Sequence, residues 1–90
     1  MLSWEISTTW WDHHQELLKF RLIDEYGRKE ICGIYQRDIN NFFGTEDTPE
    51  DAEQNLENNQ DHLVSVASML IENDLADDNG IYRVSYDQLL

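Results

Sequence analysis

Two tryptophans, an aspartate and two histidines stand side by side in "WWDHHQ", residues 10–15. Imidazoles beside a carboxylate could bind a metal or move a proton. A metal site needs ligands converging on one point at about 2.0–2.2 Å. Adjacent side chains do not converge: on a strand His13 and His14 point to opposite faces, and on a helix they diverge by about 100°. The helical zinc spacing, two histidines four apart with a glutamate between, is absent. Only one other histidine, His62, and one cysteine, Cys32, remain as further imidazole or thiolate ligands. The expectation is structural. One Trp plugs the end of a core, Asp12 caps a turn, the histidines are largely exposed, and no metal is held.

The other candidates are weaker. "DLADDNGIYRVSYD" resembles a calcium loop only until the register is set. With Gly80 at the sixth loop position, the first and twelfth fall on Leu75 and Tyr86, where acids are required. Carboxylates are plentiful, yet a catalytic pair needs one of them buried. No Gly-rich phosphate loop or Ser-His-Asp set is visible. Cys32, alone within an apolar run, reads as a small buried hydrophobe. The chain is therefore expected to be non-catalytic, without cofactor.

What stands out instead is charge. Six Lys and Arg oppose 19 Asp and Glu, a net of −13. Such a balance excludes direct binding to nucleic acid or an anionic membrane, both of which need cations. Five of the six basic residues lie between 19 and 37, and from Asp38 to Tyr82 there are twelve acids and no Lys or Arg. Seven acids, Glu46, Asp47, Glu50, Asp51, Glu53, Glu57 and Asp61, fall within sixteen positions and form the candidate interaction surface. Glu53, Glu57 and Asp61 are spaced i, i+4, i+8, one row on a continuous helix. Along that row charges recur every ~6 Å, from a rise of about 1.5 Å per residue. A DNA strand carries one per roughly 3.4 Å. The loop acids would have to fill the gaps for the row to imitate DNA.

The elements that carry these residues are legible from periodicity. Ninety residues make one domain, 1–90. "LSWEIS" alternates, with Leu2, Trp4 and Ile6 on one face. "LLKFRLI" does the same, with Leu18, Phe20 and Leu22 inward and Lys19 and Arg21 outward. "DEYGR" is a turn with Gly27 at positive φ. "KEICGIY" is a strand apolar on both faces, hence more central. "QRDINNFFG" makes one or two helical turns closed by Gly44. Thr48 and Pro49 then start a helix, with Asp51 at the capping-box position. That helix runs to about Asn73 on a stripe of Ala52, Leu56, Leu63, Ala67 and Leu70, widened by Val66. "ADDNG" is a hairpin-like turn, and Tyr82, Val84 and Tyr86 share a face of a last strand. The fold class is α+β, order β-β-β-α-α-β: a small antiparallel sheet packed against one long helix and one short helix.

Assembled in this order, the pieces resemble the bacterial domain-of-unknown-function family 1488. The resemblance is carried by Trp11-Asp12, Phe20, Gly27, Cys32 and Ile34, Phe43-Gly44 and Gly80, and covers nearly the whole chain. Two places depart from it. Tyr35 stands where members carry a Ser or Thr cap, and "NLENNQD" stands where members often carry Arg. The resemblance implies a small α+β domain with no established activity. A lone Cys and a beginning without a basic, apolar leader lead to the expectation of a cytoplasmic protein. The expected function is a non-catalytic binding or regulatory module with a protein partner, for which the charge suggests a basic one. The alternative is a phage-type DNA-mimic inhibitor of a nucleic-acid-binding protein. Oligomeric state is left open.

Overall fold

A computed structural model describes residues 3–90. Leu2, expected beside Trp4 on the inner strand face, lies outside them. The order is β1 (Trp4–Asp12), β2 (Leu17–Asp24), β3 (Lys29–Tyr35), α1 (Gln36–Phe43), α2 (Pro49–Asn58), α3 (Gln60–Glu72), β4 (Tyr82–Val84) and α4 (Tyr86–Leu89). The four strands form one sheet in the order β1-β2-β3-β4. The class is α+β, as the patterning predicts.

Three details correct the expectation. β1, β2 and β3 pair antiparallel, but β4 pairs parallel to β3, Cys32 opposite Tyr82 and Ile34 opposite Val84, so the sheet is mixed. "ADDNG" does not join two strands; it turns the chain from α3 into β4. The three helices between β3 and β4 bring the chain back to where β3 started, which parallel pairing requires. The second correction concerns the long helix, which divides at Asn59 (φ −128°, ψ 33°). The break falls in the polar run "ENNQ". Asn59 donates its side-chain amide to the Asn55 carbonyl at 2.8 Å, closing the end of α2. Tyr86, expected on the last strand, instead opens α4, where the Ser85 N–H donates to Gln88 Oε1 at 2.8 Å.

The core lies between one face of the sheet and the helices. Trp4, Phe20, Leu22, Ile34, Leu63, Val66, Ala67, Leu70 and Val84, the residues that the periodicity turns inward, are all buried in it. Local closures are those expected, except that the capping box at Thr48 forms only its first half. Gly27 (φ +81°) and Gly44 (φ +72°) take the left-handed conformation that their turns require, open to glycine without strain. Thr48 Oγ1 accepts from the Asp51 N–H at 3.1 Å, while the Thr48 N–H goes to the Glu46 carbonyl. Tyr35, at the start of α1, makes no side-chain cap.

β1 is longer than its alternation suggests, and a bulge explains why. Ile6 pairs with Leu22, but Thr8, not Ser7, pairs with Arg21. The extra residue inverts the alternation. Before it Trp4 and Ile6 face the core; after it Thr9 and Trp11 do, while Trp10 joins Lys19 and Arg21 outside. The outer face also carries Lys29 and Arg83, so four of the six cations sit opposite the helices. The Arg21 guanidinium lies 5.4 Å from the Trp10 ring centre. Arg83 bonds to Asp77 at 2.8 Å and to the Tyr35 hydroxyl. Mid-strand Gly33 leaves room for Leu17: a Cβ there would come within 3.1 Å of the leucine side chain.

Candidate functional site

The "WWDHHQ" segment resolves residue by residue. Asp12 Oδ1 accepts from the backbone N–H groups of His14 at 3.1 Å and Gln15 at 3.4 Å, capping the β1–β2 turn. Its other oxygen meets Lys19 at 3.7 Å. His13 and His14 are exposed. Trp11 packs half-buried against the core, and its indole N–H donates to the Glu53 carboxylate. The third histidine is elsewhere: His62 Nε2 donates to the Leu89 carbonyl at 2.8 Å and its ring stacks on Phe42, tying α3 to α4 and α1. Among the described residues, no three His, Cys, Asp or Glu side chains gather as metal ligands would.

Cys32 is fully buried in β3. Desolvation, with the Glu30 charge as a smaller cause, pushes its thiol up to about 12. A thiol held in that form is a poor nucleophile. In the turn before β4, the Asp77 carboxyl is held below its ordinary range. The Ile81 backbone N–H is the main cause, followed by that of Asn79 and the Arg83 charge. These contacts organise a turn. They do not gather around a cleft.

The seven acids are spread over three pieces of chain. Glu46 and Asp47 lie in the loop before α2, Glu50, Asp51, Glu53 and Glu57 on α2, and Asp61 in the first turn of α3. The break at Asn59 separates Asp61 from the straight i, i+4, i+8 row. Two of the seven are committed inward: Glu53 to Trp11, and Asp47, whose Oδ1 accepts from Gln36 Nε2 at 3.0 Å and Asn40 Nδ2 at 3.3 Å. Among the described residues none of the seven pairs with Lys or Arg. Acids at the starts of α2 and α3 complement the helix dipoles.

Sequence reasoning missed a buried polar cluster beneath this surface. Asn40 Oδ1 accepts from Asn55 Nδ2 at 3.0 Å and Thr45 Oγ1 at 3.2 Å, and Asn40 Nδ2 donates to the Thr48 carbonyl at 2.9 Å. It fastens α1, the acidic loop and α2 together. The signal was present: Asn55 and Asn59 occupy stripe positions, three and seven residues after Ala52, where an apolar side chain is expected. Reasoning from sequence also missed a groove. Two open cavities, of about 480 and 390 Å3, lie between β1 and the α2–α3 pair and meet at Ile6 and Gln60.

Taken together, these features define a small α+β domain: a four-stranded mixed sheet with its helices over one face and a carboxylate-rich surface above them. A protein of unknown function from the DUF1488 family of Shewanella loihica PV-4 has the same fold. Its crystal structure matches with a TM-score of 0.79 and 21% identity over 92% of each chain. The family resemblance carried by the motifs is thus met at the level of the fold. No protein-family profile matches the chain, and no curated protein does.

Proposed function

We propose that the protein is a non-catalytic binding module of the cytoplasm that engages a basic protein partner through its acidic helical side. One observation carries this reading. Among the described residues the exposed carboxylates Glu46, Glu50, Glu57 and Asp61 have no cation beside them, while four of the six cations lie on the opposite face. A field so divided orients and accelerates the approach of a basic partner. A buried, protonated thiol and exposed histidines that do not converge with other ligands support the non-catalytic part. Among the described residues no helix is long and apolar enough to cross a membrane.

The test is capture from host lysate with the wild-type chain and with a variant carrying Glu46→Gln, Glu50→Gln, Glu57→Gln and Asp61→Asn. Basic proteins held by the wild type, released by salt and not held by the variant are the expected result. Equal capture by both would sink the proposal. The DNA-mimic alternative makes a separate demand: duplex DNA must displace the captured protein. The interruption of the row at Asn59 lessens support for it.

A further inference from the structure

The sheet has two edges, and they differ. β4 is three residues long and runs straight into α4. β1 is nine residues long, and among the described residues nothing pairs on its far side. An open edge offers a row of backbone donors and acceptors to any extended chain. Native edges are commonly protected by Lys or Pro, and Trp4–Asp12 has neither. The protection present is the bulge at Ser7 and the acids Glu5 and Asp12, which would not repel a cationic strand. The bulge also turns Thr9 and Trp11 to the same side as Trp4 and Ile6, so the strand presents one continuous side to the helices.

That side opens onto the groove. Its floor is apolar: Ile6 and Val64 are only partly buried against the core, and Met69 is 46% exposed. Its far wall carries Glu53, Glu57, Asp61 and Glu72, contributed by both helices. We propose that this groove takes an extended cationic segment of a protein partner, added beside β1 as a fifth strand. The proposal rests on the reading of a basic partner and assigns that partner a place and a conformation. Backbone bonds to β1 would supply affinity, as in other strand-addition complexes. On the side facing the helices, Lys or Arg stems would lie along the apolar floor and reach the carboxylates with their charged ends. From Trp4 to Thr9 the edge is about 20 Å long at ~3.4 Å per residue, enough for about six partner residues. Charge disfavours a second copy as occupant: two chains of −13 would bring like rims together.

The probe is an octapeptide alternating lysine and valine, titrated into the full chain and followed by backbone NMR and calorimetry. The expected result is saturable binding with shifts centred on β1 and the facing side of α3, and slowed exchange of β1 amides. The same peptide N-methylated at alternate residues should bind at least tenfold more weakly, as should an alternating glutamate–valine peptide. Ser65→Trp fills the groove from an exposed position and should cost tenfold without altering the fold. Equal affinity for the N-methylated peptide, or shifts centred on residues 46–50, would reduce binding to surface charge and overturn the proposal. So would concentration-dependent dimerisation that protects β1 without peptide. If Ser65→Trp captures basic host proteins as well as wild type does, the groove is wrong and the basic-partner reading stands. If wild type captures none, both fail.

Discussion

The indole N–H of Trp11 donates to the carboxylate of Glu53, 42 positions further along the chain. Two features that look unrelated in the sequence, an aromatic–histidine cluster and an acidic run, are thereby one contact. It fixes α2 against the far end of β1 and orients one wall of the groove.

Trp11→Phe keeps the ring and removes the N–H. It should lower stability by about 0.5–1.5 kcal/mol, the usual net value of a hydrogen bond. Glu53→Gln added to it should cost little more. Urea unfolding of the two single variants and the double variant measures the coupling. Strictly additive losses would show that the two side chains do not act together.

His13→Ala and His14→Ala should each change stability by less than about 0.5 kcal/mol, as exposed substitutions do. Calorimetric titration with zinc should give no tight one-to-one site. Submicromolar zinc binding lost in either variant would reverse the structural role assigned to this segment.

Asn40→Ala should be among the more damaging polar substitutions. It removes the hydrogen bonds to Asn55, Thr45 and the Thr48 carbonyl together, each worth about 0.5–1.5 kcal/mol net. Asn58→Ala, exposed on the same stretch, should stay within about 0.5 kcal/mol. Equal denaturation midpoints for the two would refute the importance of the cluster.

Phe20→Ala should cost about 3–5 kcal/mol, because the ring is fully buried at the centre of the sheet. For a chain of this size that is a large share of the total. A variant melting within a degree or two of wild type would mean that the β2 register is wrong.

Cys32 makes stability depend on alkaline pH. Its folded pKa is raised, so the stabilisation is complete below the unfolded thiol's value of about 8.5. It is lost as pH rises through that value toward about 12, because the unfolded chain ionises first. Urea midpoints should therefore fall between pH 7 and 9.5, below the tyrosine range, and Cys32→Ala should flatten that slope. Native Cys32 should also resist a thiol reagent at pH 8 until urea is added. Rapid modification of the folded chain would contradict its burial.

What the sequence determined by itself was everything that depends on near neighbours. The alternation in "LLKFRLI" places Lys19 and Arg21 opposite Leu18, Phe20 and Leu22 whatever else the chain does. Gly27, Gly44 and Thr48 close their turns and helix ends through atoms a few residues away, so their roles were legible without a fold. The nine core positions followed from the same two periods, 2 and 3.6. The tertiary structure alone decided where distant pieces meet. The direction of β4 depends on how three helices return the chain, which no local pattern records. The bulge at Ser7 appears only once β1 has a partner to lose register with. Asn55 looks like one more polar residue in "NLENNQ" until Asn40, 15 positions earlier, folds beneath it. The groove, too, exists only because an unpaired strand edge comes to lie beside two helices that meet at Asn59. Hydrogen-bond and packing energies act at contact distance, and sequence separation says little about which residues the fold will bring that close.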